Sequence, residues 1–131
     1  MSLRVAASAA LIIALSSCAT TYDDTLVDDT TPATTTTVPT GTPEQLLPRL
    51  QSQVASLSGV MIDNGDDEAV SEQIASLWAA VRDQVQADRP DLIPAFDQNV
   101  AMVAKAVRFK RAADADKAAK NITTLVEAFL T

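Results

Sequence analysis

An all-α fold is what this sequence predicts: a small up-down-up-down four-helix bundle behind a disordered Thr/Pro-rich tether. Three observations carry that prediction. From Thr42 onward apolar residues recur at three- and four-residue spacing, and the Val/Ile/Thr alternation of strands is absent. Turn signals at Asp63-Asn64-Gly65-Asp66 and Arg89-Pro90 cut this region into helix-sized segments with short connections, which makes successive helices antiparallel neighbours. The 89 residues from Pro43 to Thr131 suffice for one small domain and no more.

The chain divides into residues 1–17, 18–42 and 43–131. Met1 to Arg4 carries one positive side chain, and Val5 to Leu15 is apolar or small throughout, the order of a secretory signal. Eleven helical residues rise only ~17 Å against a bilayer core of ~30 Å, so a permanent spanning helix is the poorer reading. The run ends in Leu15-Ser16-Ser17-Cys18, with the chain's single cysteine last. This junction resembles the lipobox of bacterial lipoproteins, with Leu at −3, small residues at −2 and −1, and Cys at +1. The resemblance covers about the first nineteen residues. It implies cleavage between Ser17 and Cys18, a diacylglycerol on the Cys18 thiol, acyl chains such as palmitate in the membrane, and a protein exported to face outside the cytoplasm. Ser at −1 departs slightly from the commoner Gly or Ala. Two or more acyl chains, at about 0.8 kcal/mol per buried methylene, anchor stably. A lone cysteine forms no disulfide within the chain.

Ala19 to Thr42 changes composition sharply. Asp23, Asp24, Asp28 and Asp29 precede Thr30-Thr31-Pro32-Ala33-Thr34-Thr35-Thr36-Thr37-Val38-Pro39-Thr40-Gly41-Thr42. So few scattered apolar residues cannot offset the entropy of ordering, and a disordered linker is expected. As a flexible coil its 24 residues span ~27 Å, and as extended polyproline II ~75 Å.

The folded part opens with Thr42 as N-cap, Pro43 at the first helical position and Gln45 closing a capping box. Four helices follow. The first is expected over about Pro43–Met61, with Leu46, Leu47, Leu50, Val54, Leu57 and Met61 on one face, and Gly59 as a point where it could end early. The second is expected over about Asp67–Asp88, with Val70, Ile74, Leu77, Trp78, Val81 and Val85. The third covers about Asp91–Lys110, with Leu92, Ile93, Phe96, Val100, Val103 and Val107. The fourth starts near Asp114 as N-cap and carries Ala115, Ala118, Ile122, Leu125, Val126 and Phe129. Ala75, Ala79, Ala101, Ala104 and Ala119 are expected where helices approach closely.

Charge is unevenly distributed. Residues 19–104 hold 14 acidic and 3 basic side chains, whereas 105–131 hold 3 and 6. An up-down-up-down topology puts the acidic turn Asp63, Asp66, Asp67, Glu68 and the basic turn Arg108, Lys110, Arg111 at the same end, remote from the tether. Helix-end electrostatics accounts for acids at the start of the second helix and bases at the end of the third; a polar contact surface for a partner is the sharper reading. The overall charge of −7 argues against nucleic acid as a partner.

No catalytic constellation is legible. The chain has no histidine, which excludes a Ser/His/Asp triad and removes the commonest metal ligand. Four-helix cytochromes resemble the bundle in layout and in its Ala-rich last helix, but Met61 or Met102 would lack a His partner across a haem. The expected cofactor set is therefore none, and the expected metal set is none. Asp63-Asn64-Gly65-Asp66-Asp67-Glu68 offers oxygen ligands, but it lacks the spacing of a calcium loop and reads first as turn and helix-start chemistry. Asn121-Ile122-Thr123 matches a glycosylation triplet inside a predicted helix. The function expected is that of a membrane-anchored envelope lipoprotein with a non-catalytic helical binding domain and an envelope protein as partner. The alternatives are a carrier of a small apolar ligand between the helices near Trp78, and an accessory subunit of a larger envelope complex.

Overall fold

The computed structural model describes residues 38–131. Ser17, Cys18 and the rest of the chain up to residue 37 lie outside the described residues. The described chain is all-α, with helices α1 (Pro43–Ile62), α2 (Asp67–Asp88), α3 (Ile93–Arg108) and α4 (Ala112–Leu130), and a 3₁₀ turn at Pro90–Leu92 before α3. Each helix packs chiefly on its two ring neighbours, α1 on α2 and α4, α3 on α2 and α4. Among the described residues no helix is long and apolar enough to cross a membrane.

The stripes read from spacing form the core. Leu47, Leu50 and Leu57 of α1, Ile74, Val81 and Val85 of α2, Phe96 of α3, and Ala115, Ala118 and Ile122 of α4 are wholly buried. Each buried Leu, Ile or Phe contributes about 1.5–3 kcal/mol by leaving water. Met61, Val70, Leu92, Val100, Leu125 and Phe129 pack on the margin of this core. The alanines depart from expectation. Ala75, Ala79, Ala101 and Ala104 lie on exposed helix surface, and Ala119 is half-buried. The helices instead approach over Ala106, Ala115 and Ala118, which share the register of the large apolar residues.

Helix boundaries follow local hydrogen bonding. At the start of α1 the Thr42 N–H donates to Gln45 Oε1 at 3.3 Å, closing the capping box. Helix α1 runs through Gly59 to Ile62, and the Asp63 N–H donates to the Gly59 carbonyl. The α1 and α3 ends are then built alike. After α1, the Asn64 N–H donates to Met61 O and the Gly65 N–H to Val60 O, with Asn64 at φ 54°. After α3, the Lys110 N–H donates to Val107 O and the Arg111 N–H to Ala106 O, with Lys110 at φ 51°. Both are Schellman closures with a left-handed residue after the cap. At Gly65 the demand is for space: a Cβ there would sit 2.9 Å from Val60 Cγ1.

Three expected boundaries shift. The fourth helix begins at Ala112 with Arg111 as its N-cap, so Asp114 sits in the first turn, not at the cap. The tight closure at Lys110 leaves no residues for a longer loop, and Asp114 instead pairs with Arg111, Nε to Oδ2, at 2.9 Å. The third helix does not begin at Asp91 or reach Lys110. Pro94 lacks the N–H that would bond the Pro90 carbonyl, so the chain makes a 3₁₀ turn first, with the Leu92 N–H donating to Arg89 O. At the other end, left-handed Lys110 stops α3 at Arg108.

Candidate functional site

The turn-bearing end of the bundle gathers the acidic and the basic turn, as topology requires. Asp66 caps α2, its Oδ1 accepting from the Ala69 N–H at 3.0 Å. Asp67 is buried, and both its oxygens accept from Lys110 Nζ, at 2.8 and 2.9 Å. This pair ties α2 to the α3–α4 turn, and the hydrogen bond to Asp67 raises the Lys110 pKa above its ordinary value. Asp63 is exposed. Asp66 and Asp67 thus do separate structural work, and among the described residues no group of three or more acidic, Cys or His side chains is placed to hold a metal ion.

Two large apolar side chains stand out at this same end. Ile62, the last residue of α1, is 69% exposed, and Phe109, the cap of α3, is 60% exposed. The Arg108 guanidinium lies 5.4 Å above the Phe109 ring centre, a cation–π contact. Between α2 and α3, a shallow groove of about 370 Å³ opens beside this end. Glu68 and Glu72 contribute from α2 and Arg108 from α3, with Lys110 at the turn and Ala104 and Val107 between them.

Further along the α2–α3 seam, Asp97 accepts three hydrogen bonds. Trp78 Nε1 donates to Oδ1 at 2.8 Å, Arg82 Nε to Oδ1 at 3.0 Å and Arg82 Nη2 to Oδ2 at 2.7 Å. The Arg82 hydrogen bond, aided by the indole donor and the Arg82 charge, outweighs desolvation and holds the Asp97 carboxyl below the usual range. Trp78 also stacks on Phe96, ring centres 4.8 Å apart and planes 19° off parallel. Its ring is therefore filled on one face and hydrogen-bonded at its edge. An apolar ligand entering there would have to displace Phe96.

The remaining polar side chains of the core region tie helices together. Asn99 is buried, donates to the Ala95 carbonyl at 2.8 Å and accepts from Asn121 Nδ2 at 2.9 Å across the α3–α4 seam. Gln51 Nε2 donates to the Thr123 hydroxyl between α1 and α4 at 3.3 Å. Both polar members of the Asn121-Ile122-Thr123 triplet are thus in interhelical bonds. At the tether-side end, Arg89 holds Asp91 and the Ala128 carbonyl, and Gln84 Nε2 donates to Gly41 O. Every buried side-chain nitrogen and oxygen among the described residues has a partner.

Sequence reasoning passed over Asp97 and Asn99. A signal exists for Asn99: it stands three residues after Phe96 and four before Val103, on the core face of α3. Asp97 gives none beyond lying four residues after Ile93; its partners come from another helix. The predicted lipidation residue Cys18 and the predicted cleavage residue Ser17 lie outside the described residues. No family model, no curated protein and no solved structure matches this chain.

Proposed function

We propose that this chain is a lipid-anchored protein of the bacterial envelope, held in the membrane through acyl chains on Cys18 and exposed outside the cytoplasm, whose bundle is a non-catalytic interaction module. The observation that carries the anchor is the junction Leu15-Ser16-Ser17-Cys18 at the end of an eleven-residue apolar run behind Arg4. The bundle supports the second half of the reading. Among the described residues its buried side-chain nitrogens and oxygens all have partners, as in a scaffold, and two of its exposed apolar groups, Ile62 at the end of α1 and Phe109 at the cap of α3, stand together at one end where a partner can reach them. The same exposure favours a second reading, an accessory subunit that docks on a larger envelope complex. The 19–42 segment serves as the spacer that lifts the module off the lipid surface.

Intact mass of membrane-extracted protein, beside a Cys18→Ala variant, tests the anchor. A chain beginning at Cys18 with a diacylglycerol-sized increment, lost in the variant together with membrane retention, is the expected result. A chain beginning near Ala19 without lipid overturns it and makes the bundle a secreted protein.

A further inference from the structure

We infer that the turn-bearing end of the bundle is a self-complementary surface on which a second copy of this chain docks end to end; the pairing gives a partner to the interaction module proposed above. The two turns of this end are built alike, Asp63-Asn64-Gly65 closing α1 and Phe109-Lys110-Arg111 closing α3, each as a Schellman motif. They differ in sign. The α1–α2 edge presents Asp63, Asp66 and Glu68, and the α3–α4 edge presents Arg108 and Arg111. Asp67 and Lys110 neutralise one charge of each sign between them. Arg111 already holds Asp114, while Asp63, Glu68 and Arg108 form no ion pair among the described residues; Arg108 lies over the Phe109 ring and lines the α2–α3 groove with Glu68 and Glu72. Each edge also carries one large exposed apolar side chain, Ile62 on the acidic side and Phe109 on the basic side.

A surface with one acidic and one basic edge is not satisfied by a partner of uniform charge. An anionic membrane or a nucleic acid meets Asp63 and Glu68 as readily as Arg108. Its own image satisfies both edges at once. A second copy turned over about a two-fold axis in the end face, parallel to the two turns, sets each acidic turn against the other's basic turn and covers Ile62 and Phe109 of both. That is an isologous contact, closed at two copies. Because both apolar groups sit next to short hydrogen-bonded turns, covering them orders little extra chain.

The contact is small. Four helices each about 10 Å across give an end face of roughly 400 Å² per copy, or about 800 Å² for the pair, below the ~1,200 Å² at which stable complexes begin. The pair is therefore weak, with a dissociation constant on the order of 0.1–1 mM. Tethers on a shared surface raise the local concentration toward that range.

The test is charge reversal with rescue, on the full chain purified from membranes in detergent. Sedimentation equilibrium across about 10 μM to 1 mM should show a monomer–dimer equilibrium at the dissociation constant given above. Glu68→Lys alone and Arg108→Glu alone should each weaken it about tenfold, because the two-fold axis sets the α2 start of each copy over the α3 end of the other and so counts each like-charge contact twice. An equal mixture of the two variants should regain wild-type pairing. In the mixed pair one contact sets the introduced lysine against the introduced glutamate, and the other keeps the native Glu68 against Arg108. Both side chains are exposed, so unchanged helical circular dichroism accompanies each variant. Failure of the mixture to recover, a monomer at every concentration, or pairing indifferent to both reversals overturns the inference. A photo-crosslinker at Phe109 in native membranes should give a product of twice the chain mass; capture of a different protein in its place overturns it too. Intact mass of the same sample reports the lipid, so an unlipidated chain that still pairs keeps this inference and sinks the anchored reading alone.

Discussion

Replacing Asp97 separates the two jobs its carboxylate does at the α2–α3 seam. In Asp97→Ala the Nε1–H of Trp78, a residue 5% exposed in the native fold, loses its 2.8 Å acceptor. An unsatisfied buried donor costs about 1–3 kcal/mol. Alanine returns about 0.5 kcal/mol of helix propensity at this interior position of α3. The net loss from the indole alone is thus about 1–2 kcal/mol, to which the severed Arg82 pair adds. In Asp97→Asn an amide oxygen still accepts from the indole, and only the charge facing Arg82 disappears. Arg82 and Asp97 side chains are 41% and 40% exposed, so the charge contribution is screened and small. The expected order of damage is Asp97→Ala well above Asp97→Asn, with Arg82→Ala close to the latter. Urea titration followed by circular dichroism and Trp78 fluorescence reads this directly. With a slope near 1 kcal/mol/M for a domain this size, the alanine midpoint should fall by roughly 1–2 M and the asparagine midpoint by much less. Equal losses for Asn and Ala would refute the reasoning, because the indole hydrogen bond would then contribute nothing.

Three further outcomes follow from the same contacts. Leu50→Ala, at a wholly buried position of α1, should cost about 2–5 kcal/mol by cavity formation, read as a lowered thermal midpoint. Lys110→Ala should lower that midpoint more than Lys117→Ala does, because it strands the buried Asp67 carboxylate; in an Asp67→Asn background the Lys110→Ala loss should shrink. Stability should plateau near neutrality. Asp97 and Asp91 have folded pKa values below 3.8, so their contributions are complete above that unfolded value and vanish as pH falls through the depressed ones. Lys110 has a folded pKa above 10.5, so its contribution is complete below that value and is lost as pH rises through the raised one. Thermal melts of Asp97→Asn between about pH 2 and 7 should show a shallower acid limb than the wild type.

Long periodic stripes were the legible part of the fold. Leu46 to Leu57, Ile74 to Val85 and Ile93 to Val107 each repeat at helical spacing with no competing pattern, so burial followed from register alone. The charge sorting at the turn-bearing end was legible for a related reason: once four helices alternate direction, residues 63–68 and 108–111 share an end. What escaped the sequence depends on partners from elsewhere in the chain. Asp114 looks like a cap, yet the left-handed Lys110 restarts the helix three residues earlier, with Arg111 as cap, a choice fixed by the Val107 and Ala106 carbonyls. Ala75 and Ala104 look like packing residues, but small size is compatible with exposure, and only the neighbouring large residues decide which face turns inward. Asp97 and Asn99 acquire roles from Trp78, Arg82 and Asn121, which no local pattern announces.

Pro48 sets how the bundle answers a mechanical pull. It stands inside α1 with no N–H, so the Glu44 carbonyl lacks its usual intrahelical partner one turn from the point where the preceding segment joins. A force drawn through Thr42 meets the Gln45 and Leu46 amide bonds to the Thr42 carbonyl first, and further along a rung that is missing. Burial of Leu46 and Leu47, rather than a continuous backbone ladder, carries the load at that step. The turn from Pro43 to Leu47 is therefore expected to yield first under such a force, before the helices beyond Pro48 lose their packing. Single-molecule extension through the N-terminal side should show this as a small reversible yield ahead of the main rupture, and Pro48→Ala should erase it.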